Sequence, residues 1–544
     1  MSQSTIEASR ADIGDWLAGR LGLSRLGPAT AKSDAGVPPG SLEPRVLARL
    51  GEIVGKENVI LEAESRRLMA EGNCPSLARW IGAGGSLPDA VVRPASPIQI
   101  AELLAYAYEA ELGLSIVGTA TGGPGLRAVR KGSSHKALIS LSTSRLDEVR
   151  EIDGKAGVAI VGAGLTVAGL GQQLKAEGLR LAGGMLGLDG MPSTGTIGGA
   201  IAGRRAVGRG PRTWLVSAKL VTPQGPWATE DSPAALAGPD LTAVAIGSEG
   251  TLGIITEATL RLERLPETEF IELYAFAHWD DALEAARLVA QSDIVPSLLS
   301  ISDPEEVGFV AALSHEPIQA PRRFHFASGL GASAVRRRPV VPPTYVAIGL
   351  SGSELVAEAK AHHVSALMRE AKGTPLGADA AQTFLQRRRA VDAFTRSAYG
   401  QGLGVSCFTS AACWSALTEV AAAVEQALAK VMDAIRPAPG ASAFLATRAT
   451  PIAPEACALR FAAIYPRAKG REIEQETAMR DAVLSALSGK GAAVSHGSGF
   501  GVERAPWLAE EKSAVGAGVL LTLKHAIDPR GVLNPHVLFE EQKG

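Results

Sequence analysis

The sequence predicts an α+β protein of more than one domain, on three observations. At 544 residues the chain exceeds the roughly 100–200 residues of one ordinary domain. From Ala90 onward, short apolar runs of strand length alternate with amphipathic stretches of helix length. After Leu265 the texture changes and a second series of strand–helix pairs begins. Hydrophobic residues make up 46% and charged residues 20%, enough apolar surface for a sizeable packed core.

The elements follow in order. Residues 1–84 read as an N-terminal helical segment, amphipathic near Ile13–Leu23 and Leu42–Val54, with a Gly/Pro/Ser-rich stretch between. In 85–265, Ala90-Val91-Val92 reads as a strand before Pro94, and Ile98–Glu111 as a helix. Leu114–Val117 is a strand running into the loop Gly118–Gly125; Ala137–Leu141, Gly157–Val161 and Leu215–Val221 are further strands. Short strands with few helices between them suit a domain of two α+β subdomains. In 266–480, Phe270–Phe276, Ser297–Ile301 and Tyr345–Gly349 read as strands, with helices at Asp280–Gln291 and Leu355–Ala371. Phe444–Thr447 and Ala456–Tyr465 are strands flanking a turn at Pro451–Glu455. Phe324–Pro343, with Arg336-Arg337-Arg338, reads as a surface loop whose charges are solvated. The last segment, 481–544, closes on Asp528-Pro529-Arg530-Gly531-Val532-Leu533-Asn534-Pro535, a turn-rich run that pins the C-terminus.

Composition excludes several classes. Lys plus Arg number 54 against 56 Asp plus Glu, a net charge of −2, which argues against a polyanion such as nucleic acid as partner. The four cysteines, Cys74, Cys407, Cys413 and Cys457, have no CxxC spacing and no paired histidines, so no metal site is expected and the thiols should be reduced and mostly buried. Met1–Arg10 lacks an apolar signal core, and no run approaches the ~18 apolar residues of a membrane span. A cytoplasmic protein is expected; if it self-associates, a homodimer is the commonest assembly.

Glycine-rich loops carry the chemistry. Gly247-Ser248-Glu249-Gly250-Thr251-Leu252-Gly253 runs directly into Ile254-Ile255, and Gly195-Thr196-Ile197-Gly198-Gly199-Ala200-Ile201-Ala202-Gly203 precedes it in the chain. Without a Cβ, such loops admit close approach of backbone N–H groups to a large ligand, and two of them suggest one extended cofactor held at two places. Val161-Gly162-Ala163-Gly164-Leu165-Thr166-Val167 starts like a dinucleotide fingerprint. Val167 stands where the third glycine must be, and no acidic residue follows at the required distance, so a nicotinamide Rossmann site is not expected.

The ordered set of Pro88-Asp89-Ala90-Val91-Val92-Arg93-Pro94, Leu141-Ser142, the GxTVxxLxxxL helix from Gly164, the TIGGxI loop and GSEGTLGIITEA resembles the FAD-linked oxidases. Their flavin domain is the vanillyl-alcohol-oxidase (PCMH) type; the nearest likeness is to the alkylglycerone-phosphate synthase and glycolate oxidase subunit branch. The resemblance implies a two-subdomain FAD-binding domain over 85–265 and an α+β cap or substrate domain with an antiparallel sheet over 266–480. It implies that 481–544 returns to the active site and the FAD domain. It also implies non-covalent FAD. The pyrophosphate would lie on Gly118, Thr119, Ala120, Thr121, Gly122, Gly123 and Pro124, a glycine-rich turn that offers amide dipoles. Gly190, Pro192, Ser193, Thr194, Gly195 and Thr196 would lie beside the isoalloxazine, and the run from Gly247, with Glu249, Gly250, Thr251, Leu252, Gly253, Ile254 and Ile255, on the adenine side. Gly198, Gly199, Gly203 and Arg204 complete the implied cofactor contacts.

This chain departs from the family's pattern at named places. Pro124 removes one amide donor from the phosphate loop, and no His or Cys stands there for a covalent flavin link. Arg204-Arg205-Ala206-Val207-Gly208-Arg209-Gly210 stands where an ASG…YG pattern is usual. In the second half, Phe408–Trp414 resembles FETxxxW and Ala393-Phe394-Thr395-Arg396 resembles AYxR, so Arg396 is implied to hold an acidic substrate head, as a forked cation can. Ser495–Trp507 resembles SHHHGxGxxRxxW but keeps one histidine, His496, a candidate to move a proton near neutrality. Arg460 takes the place of the family's acid/base tyrosine and is a candidate second anion clamp. The leading expectation is an FAD-dependent oxidoreductase that oxidises a small anionic, hydroxy-acid-like substrate by hydride transfer to flavin N5. The alternatives are a non-redox transferase of the alkylglycerone-phosphate synthase kind and a flavin-fold binding protein without catalysis.

Overall fold

A computed structural model describes residues 13–26, 38–72, 77–83, 87–121, 131–183, 194–205, 210–229, 237–313 and 342–539. The chain divides into two compact units: one comprises 1–32 and 266–494, the other 33–265 and 495–544. The N-terminal segment is therefore divided between the units, and the second unit is completed by the end of the chain. Residue 480 lies inside the helix Glu472–Gly489, and the boundary between units falls after Val494.

The second unit holds two sheets. In the first, β1 (Val59–Ile60), β2 (Ala90–Val92), β3 (Leu112–Val117) and β4 (Ala137–Ser142) lie in the order β1-β2-β4-β3. β4 runs parallel to both β2 and β3 and is buried along its whole length, as a central parallel strand must be. The helix Pro97–Ala110 connects β2 to β3. Ser96 caps it by accepting from Gln99 N–H at 3.3 Å, Pro97 occupies its first turn, and Glu111 ends it in the left-handed region at φ 55°. The free edge of β3 is covered by the end of the chain: Leu114 N–H donates to Val532 O and Asn534 N–H to Leu114 O, both at 2.8 Å. Leu533 is fully buried beside Ile139, Leu141 and Ile254.

The other sheet is antiparallel, with β5 (Val149–Asp153), β6 (Val158–Gly162), β8 (Leu215–Thr222), β9 (Gly225–Ala228) and β10 (Ile254–Arg264) in the order β5-β6-β10-β8-β9. β7 (Leu179–Leu181) pairs with the far end of β10. β6 pairs antiparallel on both sides, so the VGAGLTV run opens no parallel βαβ unit. Gly162 and Gly164 are required instead by the chain: a Cβ on either would lie 2.2 or 1.9 Å from the carbonyl oxygens of Leu146 or Thr143. Thr166 then caps the helix Val167–Ala176 through Gly169 N–H at 3.0 Å.

The first unit carries one seven-stranded antiparallel sheet. Its strands are β11 (Thr268–Phe276), β12 (Leu298–Ser302), β13 (Thr344–Gly352), β14 (Thr374–Pro375), β15 (Leu403–Cys413), β16 (Phe444–Ala453) and β17 (Ala456–Pro466), in the order β14-β11-β13-β12-β16-β17-β15. The N-terminal helix over 13–20 joins this unit, Trp16 stacking on Phe309 at 5.8 Å and meeting Phe444 edge-on. Cys407 and Cys413 are exposed, contrary to the expectation of mostly buried thiols, because they lie on the sheet's edge strand; Cys457, one strand inward, is buried. Cys74 and the loop at 324–341 lie outside the described residues. Among the described residues no helix is long and apolar enough to cross a membrane.

Candidate cofactor site

The candidate site lies wholly within the second unit and is built around a helix of six residues, Ile197–Ala202. Thr196 caps its N-terminus, accepting from Gly199 N–H at 3.1 Å. Against this cap packs the turn that follows β3. A Cβ on Gly118 would stand 2.2 Å from Thr196 Oγ1, so only glycine fits there, and Thr119 Oγ1 donates to Thr194 O. Ala120 is buried at φ 58°. The N–H groups of Thr119, Ala120 and Thr121 donate to no acceptor among the described residues. Gly122, Gly123, Pro124, Gly190, Pro192 and Ser193 lie outside those residues.

The other end of the helix closes in a Schellman motif. Arg204 N–H donates to Ile201 O at 3.1 Å and Arg205 N–H to Ala200 O at 2.8 Å, with Arg204 in the left-handed region at φ 46°. The GSEG loop docks on the same helix end. Gly247 N–H donates to Ile201 O and Glu249 N–H to Ala202 O, at 3.0 and 2.9 Å, so these orphan helix carbonyls are satisfied by chain.

Glu249 then reaches the C-terminal return. Its carboxylate accepts from Phe500 N–H and, at 2.8 Å, from Gly501 N–H. Burial pushes this carboxyl up, against the pull of the two backbone donors and of Arg205 and Arg504. Asn534 fastens the loop from another side: Nδ2 donates to Glu249 O, and Oδ1 accepts from Ile116 N–H at 2.7 Å. A Cβ on Gly250 would stand 2.7 Å from Asn534 Nδ2. Below them Lys524 Nζ donates at 2.9 Å to both Thr251 O and Leu533 O and pairs with Asp528, whose carboxylate also accepts from Val532 and Leu533 N–H. Leu252 is buried, and Ile254 and Ile255 open β10 in the core.

These pieces enclose a cleft with about 1040 Å³ of empty space, part of it open to solvent. Gly118, Gly199, Arg205, Glu249, Gly250 and Ser498 line it. Ser498 belongs to the loop that carries His496, whose backbone turns at Gly497, Gly499 and Gly501, all at positive φ. Burial, and then the positive charge of Arg204, push the His496 imidazole below its ordinary value.

Of the residues singled out from sequence, the second unit gathers the described part of the 118–121 turn, 194–204, 249–255 and His496. Arg396 and Arg460 belong to the first unit. Arg396 lies on the helix Ala378–Ala398, its side chain outside the described residues. Arg460 is half-buried on β17, between Thr409 on β15 and Arg448 on β16. Sequence reasoning passed over Arg205, Asn534 and the Lys524–Asp528 pair. The DPRGVLNP run held the one available signal, read only as a turn that pins the terminus.

The donor set fits an anionic dinucleotide. Backbone N–H groups at 119–121 that donate to no described acceptor, and a guanidinium at the cleft wall, are what a diphosphate requires, and the glycines keep side chains out of the space between. A two-sheet α+β unit with a cleft of this chemistry defines the class as flavin-binding oxidoreductases.

The chain belongs to the FAD-linked oxidases: residues 265–538 match the C-terminal domain of FAD linked oxidases, and 88–229 match an FAD binding domain. FAD is accordingly its cofactor. An alkyldihydroxyacetonephosphate synthase of Trypanosoma brucei brucei is 22% identical over 522 residues, 93% of this chain and 83% of that one. The mitochondrial D-lactate dehydrogenase [cytochrome] of Arabidopsis thaliana is 31% identical over 229 residues, 41% of this chain and 38% of that one. Among solved structures, an alkyldihydroxyacetonephosphate synthase superposes with a TM-score of 0.74 at 20% identity, covering 94% of this chain and 88% of that one. A p-cresol methylhydroxylase superposes at 0.70 and 16%, covering 93% and 99%. At these identities the structures establish the shared fold.

Proposed function

We propose that this FAD-linked oxidoreductase oxidises a small anionic, hydroxy-acid-like substrate. The observation that carries the reading is His496, held on a loop that lines the FAD cleft and kept neutral near pH 7 by burial and by Arg204. A neutral imidazole accepts the proton of a substrate hydroxyl; an imidazolium cannot. Bound flavin supplies the hydride acceptor. Arg396 and Arg460 hold the substrate's acid group in this reading, each as a fixed cation that keeps its charge at every working pH. Relatives named D-lactate dehydrogenase and, in Bacillus subtilis, glycolate oxidase subunit GlcD support a hydroxy acid as the substrate class.

A second reading, a transferase of the alkyldihydroxyacetonephosphate synthase kind, is favoured by a relative of that name that spans 93% of the chain. Arg460 counts against it, because a guanidinium cannot replace the titrating phenol expected at that place. The purified protein is expected to show the visible absorbance of flavin and to bleach anaerobically with at least one member of a panel of 2-hydroxy acids. Flavin that is bound but reduced by none of them overturns the oxidase reading in favour of the second. A colourless protein that takes up no FAD overturns both.

A further inference from the structure

Arg205 is unusual among the cleft-lining groups. Its guanidinium makes no hydrogen bond and no ion pair with any described residue, although it stands at the wall of a cleft inside the fold. Its nearest opposite charge is Glu249, which lowers the cost of burying the cation. Glu249 does not satisfy it as a partner, however, because that carboxylate is taken by the N–H groups of Phe500 and Gly501. A forked donor of five N–H groups that meets no acceptor among the described residues is suited to take up an anion.

Helix capping does not account for Arg205 either. The last carbonyls of the helix, from Gly199 to Ala202, already accept from Gly203, Arg204, Arg205, Gly247 and Glu249 N–H. The local backbone adds a second sign. Arg204 occupies the left-handed position of the Schellman motif, where glycine is usual and another residue costs about 1 kcal/mol. The motif fixes the backbone of Arg205 by its bond to Ala200 O and presents the side chain at the cleft. Strain retained beside a ligand cleft is a mark of function.

We propose that Arg205 binds the diphosphate of the dinucleotide, opposite in charge to it and complementary to the amide donors of the 119–121 turn. The two groups stand at the two ends of the Ile197–Ala202 helix, about 9 Å long. A phosphate-bearing ligand laid along that helix meets backbone N–H groups near one end and a guanidinium at the other. Arg205 thereby supplies a full positive charge beside donors that are otherwise backbone N–H groups.

The inference rests on FAD binding by this cleft, and its test separates the two. Deflavinated wild-type protein and the variants Arg205→Met and Arg205→Lys are titrated with FAD, ADP and riboflavin, following flavin or protein fluorescence. Arg205→Met is expected to weaken FAD and ADP at least tenfold and to leave riboflavin, which lacks phosphate, unchanged. Arg205→Lys is expected to recover part of the loss, and added salt to weaken the wild type more than Arg205→Met. Equal FAD affinity in wild type and Arg205→Met overturns the assignment while leaving the flavin site intact. An equal loss for riboflavin, with a lowered thermal midpoint of the deflavinated protein, also overturns it by showing that Arg205 only supports the fold. Wild-type protein that binds no FAD overturns the parent reading and this one together.

Discussion

His496 brings together position and protonation state in one residue. Its ordinary value lies near 6.5, and burial together with Arg204 pushes it lower. The neutral form therefore dominates at pH 7. As the proposed base it gives activity that falls as pH drops through the lowered value, so kcat/KM is expected to rise with pH along an acid limb that lies below the ordinary imidazole value. His496→Gln is expected to lower kcat by about 10²–10⁴-fold and to abolish the acid limb, measured as a pH–rate profile on a hydroxy acid. Replacing Arg204 by Gln removes a positive neighbour, and the limb should then move up towards the ordinary imidazole value. An unchanged profile in both variants would place the proton transfer elsewhere.

Among the elements, the clamp formed by Lys524 joins the helix Leu508–Ile527 that carries it, and the return at Leu533 just beyond, to the GSEGTLG loop at Thr251, which is 273 residues away in sequence. Asp528 is fully buried. Removing one partner of such a buried, hydrogen-bonded pair leaves an uncompensated charge, so Lys524→Met is expected to cost about 3–5 kcal/mol in urea unfolding. A cost under about 1 kcal/mol would show that water or another donor takes its place. Nothing local announced this clamp. The helix Pro97–Ala110 was legible almost to its limits, as Ile98–Glu111, whereas Asp303 capping the helix Pro304–Ala312 is a start signal that the sequence reading passed over. The limits of β11 and β17 followed closely from apolar runs bounded by turn residues, but β16 runs past Thr447 through Pro451 to Ala453, where a turn was expected. The loop glycines were legible as a cofactor mark but not for their physical cause. Gly118 and Gly250 are needed because Thr196 and Asn534 approach them, and those partners become neighbours only through tertiary structure. Arg205 was invisible for a related reason, since what sets it apart is a place at the cleft wall with no acceptor among the described residues.

For the molecule as a whole, the main fact is that the FAD-binding unit is discontinuous. It begins at Ser33, is interrupted by all of 266–494, and is finished by the last fifty residues. Asn534 bonds to Ile116 across a separation of 418 residues, and Leu533 fills the core beside β4. A chain ending at Ile527 is expected to retain no flavin and to expose 38–265 to limited proteolysis, read by absorbance and fragment mapping. Flavin content equal to that of the full chain would contradict this. The division of the first 84 residues between two units was not legible, because amphipathic helices declare that they bury a face without saying against what.

The covered edge of β3 has one further consequence, which concerns time. Domains usually fold in the order of their synthesis. Here the flavin unit, which begins at Ser33, cannot finish before residues 266–494 have been made, since Val532, Leu533 and Asn534 follow them in the chain and β3 keeps an open hydrogen-bonding edge until they arrive. The first unit, whose sheet is complete once Pro466 has been added, can fold while the flavin unit waits. The half-built unit is thus the stage at which a nascent chain is most exposed to misassociation through an unpaired strand.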